Sequence, residues 1–157
     1  MSLAIEKLLV PATRHRTRPA GHGAGRDLHI AVVFTSVEAT LAALEEAGNL
    51  AHSLSARIRL IVPQVVPYPL PLESPPVLLQ FNENRFRVIA SRSAVETSVQ
   101  IYLCRDRLET LISVLRAGAI VVLAGRKRTS LWWPTRDERL ARRLRLAGYE
   151  VLFKEME

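Results

Sequence analysis

The chain has 157 residues, which is the length of one ordinary domain, and 48% of them are hydrophobic, which is enough for a core. Its formal net charge is +7, yet only 24% of the residues are charged, so the composition is not that of a disordered chain. No apolar run approaches the roughly 18 residues that a membrane span needs, and no signal peptide is recognisable. The single cysteine, Cys104, excludes an internal disulfide and a cysteine-based zinc site, and it fits a cytoplasmic protein.

The positive charge is concentrated in two segments. Residues 125–145 contain eight basic and two acidic side chains, and residues 1–28 contain five basic and two acidic ones. Residues 11–28 are rich in Pro, Gly, Arg and His and have little to bury. We therefore interpret residues 1–28 as a flexible basic arm with a stray edge strand at 7–10, followed by a folded domain over 29–157.

The domain opens with a strand, a helix and a second strand. Residues 29–34 (HIAVVF) are continuously apolar, which is typical of a strand buried on both faces of a parallel sheet. Thr35 and Glu38 have the spacing of a capping box, and apolar residues then recur at helical spacing as far as Ser55. Residues 58–66 are rich in β-branched side chains and predict the second strand.

A proline-rich loop follows the second strand. Residues 67–76 hold five prolines, which favour a stiff, extended segment. A helix is predicted over about 77–93. The side chains predicted to form its apolar side are Phe81, Phe86, Val88 and Ile89.

The same alternation continues to the end of the chain. Residues 97–104 predict the third strand, 119–124 the fourth and 149–153 the fifth. A capping box at Asp106 and Glu109 opens the helix between the third and fourth strands, and Thr135 with Glu138 opens the last helix. The order β-α-β-α-β-α-β-α-β predicts an α/β domain of three layers, in which a five-stranded parallel sheet lies between helices.

The local sequences resemble those of universal stress proteins. The stretch HIAVVFTSVEATLAALEEAGNLAHSLSARIRLIVPQVV is similar to that family's opening strand-helix-strand. AIVVLAGRKR resembles its fourth strand and the following loop, and GYEVLFKE its closing strand. The likeness covers residues 29–154 and implies a fold of the universal-stress, adenine nucleotide alpha hydrolase type with strand order 3-2-1-4-5. It also implies frequent homodimers through the last strand and, in some members, ATP binding.

The family's ATP-binding motif is incomplete in this chain. ATP-binding members carry an Asp at the end of the first strand, where this chain has Thr35, and a Gly-x2-Gly-x9-Gly-Ser/Thr motif after the fourth. Gly125 matches the first glycine, Arg128 replaces the second, and Pro134 replaces the glycine before the hydroxyl residue Thr135. An arginine carries a Cβ and a proline has no N–H, so we expect no ATP binding in the family manner.

An anion site remains a hypothesis at the crevice between the first and fourth strands, where the strand order reverses. The last helix is expected to point its positive N-terminus at this crevice, beside three consecutive bases. A phosphate, a nucleotide in an altered pose or an acidic partner would fit there. The predicted rim consists of Thr35, Ser36, Gly125, Arg126, Lys127, Arg128 and Thr135, with Trp132 and Trp133 as candidates for stacking. The alternatives are a solvated basic loop and a tryptophan that packs inward and fixes the loop.

The other candidate features have structural interpretations that we favour. Arg136, Arg139 and Arg143 share one helical ridge, and a solvated face explains them better than a nucleic-acid footprint. Cys104 fits a small core residue better than a thiolate activated by Arg105. The four histidines lack metal-ligand spacing, and no nucleophile elbow or P-loop is present, so we predict no metal site and no catalytic residues.

Three functions follow from these observations. We favour a non-enzymatic domain of the universal-stress type that senses a small anionic ligand or binds a protein partner of unknown identity, and that forms a homodimer. The second is a nucleotide-binding member with a remodelled phosphate loop and slow ATP hydrolysis, for which ATP or another nucleotide is the cofactor candidate. The third is a regulatory domain of a larger, transporter-like protein.

Overall fold

The computed structural model describes residues 3–10, 28–72, 79–126 and 133–157, and for 3–10 and 79–80 it describes the backbone alone. Among these residues no helix combines the length and the apolar character that crossing a membrane requires. In chain order the elements are β1 Leu3–Val10, β2 His29–Val33, α1 Val37–Leu54, β3 Arg57–Val65, α2 Leu79–Ser91, β4 Thr97–Cys104, α3 Arg107–Val114, β5 Ile120–Arg126, α4 Arg136–Leu146 and β6 Glu150–Met156.

The strands form a sheet in the order β1-β4-β3-β2-β5-β6. The five strands from β2 to β6 are parallel, and their order β4-β3-β2-β5-β6 confirms the predicted order 3-2-1-4-5. β1 adds a sixth strand at the edge, antiparallel to β4, from the pair Val10↔Thr97 to the pair Leu3↔Leu103. It is longer than the four residues predicted at 7–10. Residues 11–27 of the predicted arm lie outside the described residues.

Helices cover both faces of the sheet, which confirms the three-layer α/β/α class. α1 and α2 pack on one face against alternate strand residues such as Ile58 and Leu60, and α3 and α4 pack on the other against residues such as Ile61. This division follows from right-handed crossovers: the chain moves outward from β2 to β4 through α1 and α2, then returns past β2 through α3 and α4. The carboxyl ends of β2 and β5 therefore mark the switch point of the sheet.

The helix caps correct one prediction and confirm another. The predicted capping box at Thr35 and Glu38 is wrong, because the Ser36 hydroxyl caps α1 by accepting a hydrogen bond from the Ala39 N–H at 3.3 Å. Thr35 instead bonds to the neighbouring strand. The predicted box at the start of α4 is confirmed in both halves: Glu138 N–H donates to the Thr135 hydroxyl, and Thr135 N–H donates to the Glu138 carboxylate.

The buried side of α2 also differs from the prediction. Phe86 and Ile89 are buried as predicted, whereas Phe81 is 63% and Val88 60% exposed. A polar contact takes the inward position instead: the buried Asn82 amide donates to the Gln64 side chain on β3 at 3.0 Å. Because helical residues turn by about 100° each, placing residues 82, 86 and 89 inward directs 81 and 88 toward solvent.

Candidate functional site

The crevice at the switch point is bridged by the chain's own groups. The ladder between β2 and β5 ends at the pair Val32↔Val122, after which the two strands diverge. Phe34 follows β3 instead, because its N–H donates to the Ile61 carbonyl at 2.9 Å. The Thr35 hydroxyl then reaches back across the gap and donates to the Ala124 carbonyl at 3.0 Å. Thr35, at the position where the ATP-binding universal stress proteins that this chain resembles carry an Asp, thus links the two strands.

Two further predicted site side chains also have partners within the chain. The Ser36 hydroxyl is used by the α1 cap, and the Thr135 hydroxyl accepts from the Glu138 N–H at 3.2 Å. The Glu138 carboxylate in turn accepts from the Thr135 N–H at 2.8 Å. The start of α4, predicted to be an anion site, therefore already satisfies a backbone donor with a carboxylate of its own first turn.

Gly125 lies within a strand and beneath a helix. The ladder of β5 with β6 continues through Gly125↔Glu155 and Arg126↔Met156, so the backbone here is extended rather than curled into a phosphate loop. A Cβ at position 125 would lie 2.9 Å from the Asp137 Cβ and 3.0 Å from the Phe153 ring. Gly125 is therefore explained by the close approach of α4 and β6, without any ligand.

Arg107 and Asp137 set the electrostatics of the crevice. The Arg107 guanidinium extends from the start of α3 and donates through Nη2 to the Phe34 carbonyl at the end of β2, while its buried Nε has no hydrogen-bond partner. Burial lowers the pKa of Arg107, against the attraction of Asp137. Burial likewise raises the pKa of Asp137, against the attraction of Arg107 and Arg136. The crevice thus holds a partly buried cation and a partly buried anion that offset one another.

The remaining predicted site residues are exposed or lie outside the described part. Arg126 is exposed at the end of β5, and Trp133 is 79% exposed ahead of α4. Trp133 therefore does not pack inward to fix the loop. Lys127, Arg128 and Trp132 lie outside the described residues, so the predictions made for them stay predictions. The structure brings Thr35, Gly125 and the start of α4 together and leaves the side chains of Arg126 and Trp133 in solvent.

Cys104 is a buried thiol at the end of β4. Its Sγ donates to the Gln64 carbonyl at 3.6 Å, and burial raises the pKa of the thiol. The neighbouring Arg105 is directed elsewhere: it donates to the Val66 and Leu70 carbonyls, each at 2.6 Å, and its guanidinium lies 4.1 Å from the centroid of the Tyr68 ring. Cys104 is thus a protonated core residue, and Arg105 fixes the loop after β3.

Sequence reasoning missed several charged side chains that the fold places at defined positions. Arg107 and Asp137 were not singled out, and no local pattern distinguishes them from other helix-start charges. Arg57 and Arg59 lie at the opposite edge of the sheet, where they line a cavity. A signal for them exists in the sequence, since they alternate with Ile58 and Leu60 in a strand, a pattern typical of one open sheet face.

Comparison with models of protein families gives no match for the chain. Comparison with curated proteins gives no match either. The resemblance to universal stress proteins therefore stays a prediction that rests on the quoted residues.

Proposed function

We propose that the chain is a non-catalytic binding domain, of the universal-stress type, that does not bind ATP in that family's manner. The observation that carries the proposal is the occupied crevice at the switch point. Thr35 bridges its two strands, and Asp137 packs on Gly125, the position that would begin the phosphate loop. The strand order and the residues quoted above support the family assignment, but a fold of this type serves many functions.

Charge supports the same conclusion. Triphosphate binding at a helix N-terminus needs free backbone N–H donors and an excess of positive charge. At the start of α4, Asp137 and Glu138 place two carboxylates in the first turn, and Glu138 already accepts from the Thr135 N–H. An incoming phosphate would meet Asp137 in a partly buried setting, where like charges repel more strongly than in water.

The proposal includes a homodimer through β6. In the part of the chain that the structure describes, β6 pairs with β5 alone, so one of its backbone edges is open. Leu152, the third residue of β6, is 38% exposed. In an antiparallel pair of two copies centred on Leu152, each Glu150 faces Lys154 of the second copy, and the two Leu152 side chains face one another. A cytoplasmic location is part of the proposal, since a single buried thiol needs no oxidising compartment.

Amide chemical-shift mapping with ATP–Mg²⁺ at about 0.15 M salt tests the proposal. We expect no saturating shift changes at residues 34–36 or 125–126. Saturating changes confined to these amides, with a dissociation constant of about 10 µM or below, would overturn the proposal in favour of the nucleotide-binding alternative. The matched variant is Asp137→Asn, which removes one carboxylate from the crevice and keeps the side-chain size. Binding by Asp137→Asn but not by the natural chain would show that Asp137 excludes the nucleotide.

A further inference from the structure

Two adjoining cavities lie at the amino-terminal edge of the sheet, opposite the crevice. The larger has a volume of about 240 Å³ and the smaller about 120 Å³. They share His29, Arg59 and Arg116 in their walls, so they form one continuous recess, which we call the arginine recess. The larger cavity is lined in addition by Arg57, Ile58, Glu96, Ser98, Gln100 and Val114.

The short helix α3 leaves this recess open. α3 has eight residues and spans about 12 Å, whereas the nine residues of β3 span about 30 Å. α3 begins at the carboxyl edge, where Arg107 reaches Phe34, and ends at Val114. The chain then turns into β5 past Gly118, whose φ of +73° is left-handed. Within the described part of the chain, no helix therefore covers the amino-terminal halves of β3 and β4 on this face.

Strand alternation directs basic and polar side chains into the recess. Ile58 and Leu60 enter the core beneath α1 and α2, so Arg57 and Arg59 point to the α3 face. The parallel register places Arg59 of β3 beside Ser98 of β4. It also places Arg57 of β3 beside His29 of β2. Four neighbouring positions on three strands thus converge on one open patch of the sheet.

Arg59 is oriented by a neutral acceptor rather than by an acid. Its Nη2 donates to the Gln100 side-chain carbonyl at 2.7 Å, and the Tyr102 hydroxyl donates to the same oxygen at 3.1 Å. The Arg59 Nε is buried and has no hydrogen-bond partner. A buried donor without a partner is unfavourable unless a ligand or water satisfies it. The Arg59 guanidinium is therefore held in place by Gln100, while its Nε–H donor remains available to a ligand.

Among the residues that the structure describes, no ion pair neutralises the arginines of the recess. Three arginines line it, Arg57, Arg59 and Arg116, and none of them forms an ion pair with a described residue. Glu96 is the one acidic side chain that the described residues contribute to the walls of the larger cavity. A concave site with an excess of one charge focuses its field and attracts the opposite ion. Guanidinium groups are also suited to bidentate contacts with phosphoryl oxygens.

We propose that the arginine recess binds the phosphoryl group of a small phosphorylated molecule. Arg59, Arg57 and Arg116 supply the positive charge, and the Gln100 amide supplies a neutral hydrogen-bond donor. All three arginines line the larger cavity of the recess, whose volume of about 240 Å³ is below that of typical ligand sites, so this part of the recess encloses a phosphate or diphosphate group rather than a whole nucleotide. The inference rests on the proposal that the chain is a binding domain. It concerns the amino-terminal edge of the sheet, whereas the crevice lies at the carboxyl edge.

Titration with inorganic phosphate, pyrophosphate and a sugar phosphate, each at about 0.15 M total salt, tests the inference by amide chemical shifts. We expect saturable changes at residues 57–59, 98–100 and 116, with at least one probe reaching saturation below about 1 mM. Tighter binding of the sugar phosphate would identify an organic phosphate as the ligand. Equal or tighter binding of the inorganic probes would identify the free anion. ATP mapping of the crevice reports on residues 34–36 and 125–126, so either proposal can fail alone.

Arg59→Gln removes the charge at the centre of the recess and should weaken binding by about tenfold or more. Arg87→Gln is the matched control, because Arg87 is exposed on α2, on the opposite face of the sheet. The Arg87→Gln variant has the same net charge as Arg59→Gln. Equal weakening by the two variants would show nonspecific attraction and overturn the inference. The absence of saturation with every probe would also overturn it. Shift dispersion in the Arg59→Gln spectrum shows whether that variant is folded.

Discussion

Asp137 packs directly on Gly125, so that a Cβ added at Gly125 would lie 2.9 Å from the Asp137 Cβ. This contact joins the start of α4 to the end of β5 at the switch point, where α/β domains of this topology usually bind their ligands. A glycine at this position has two physical explanations, close approach of a phosphate or close approach of a side chain. The structure shows the second, and the resulting contact makes the region part of the core.

Gly125→Ala should therefore destabilise the protein. The added methyl group would require Asp137 and the Phe153 ring to move, which in packed interiors costs about 1–3 kcal/mol. The measurement is the free energy of unfolding from urea denaturation. Gly48→Ala is the control, because Gly48 lies inside α1 with open space around it, and alanine there should stabilise the helix by about 1 kcal/mol. Equal effects of the two substitutions would contradict the packing argument.

Asp137 should make stability depend on pH in an unusual direction. Burial raises the pKa of this carboxyl in the folded protein, so its charged form opposes folding. The protonated carboxyl therefore contributes stability that is fully present below its unfolded pKa and is lost as pH rises through its folded pKa. The unfolding free energy of the natural chain should thus rise relative to Asp137→Asn as pH falls from about 7 to about 4. Urea denaturation across this range measures the difference. A difference that stays constant or falls would show that Arg107 outweighs burial.

Arg105→Lys should loosen the loop that follows β3. The guanidinium joins the Val66 and Leu70 carbonyls and stacks on Tyr68, and an ammonium group cannot reproduce this planar arrangement. Hydrogen exchange of the peptide covering residues 66–72 should become about tenfold faster. Arg142→Lys, at an exposed position on α4, should leave exchange in this peptide unchanged. Unaltered exchange in Arg105→Lys would mean that the prolines alone hold the loop.

Leu152→Lys should dissociate the proposed homodimer. In the pairing centred on Leu152, the substitution places two like charges opposite one another, which should raise the dimer dissociation constant at least about tenfold. Sedimentation equilibrium of the natural chain and the variant measures this change. Leu146→Lys introduces the same charge at an exposed leucine of α4 and should leave the dimer dissociation constant unchanged. A monomeric natural chain at every concentration would contradict the dimer itself.

The fold could be predicted from the sequence because its signals are local and repeated. Continuous apolar segments such as residues 29–34 need helices on both sides, and the capping box at Thr135 and Glu138 marks a helix start within four residues. The error at the start of α1 arose because the sequence offers two adjacent residues that can cap the helix. Thr35 and Ser36 can each cap a helix, and the contact between Thr35 and the Ala124 carbonyl, 89 residues away, selected Ser36.

The sequence by itself determined the alternation of strands and helices, the parallel sheet and the departures from an ATP-binding motif. Only the tertiary structure decided what occupies the crevice, because the contacts of Gly125 with Asp137 and of Arg107 with Phe34 join residues that no periodic pattern relates. The same holds for the arginine recess, since Arg59 and Gln100 become neighbours through strand register and remain accessible through the short length of α3. Secondary structure depends on neighbours along the chain, whereas a binding site depends on distances between elements.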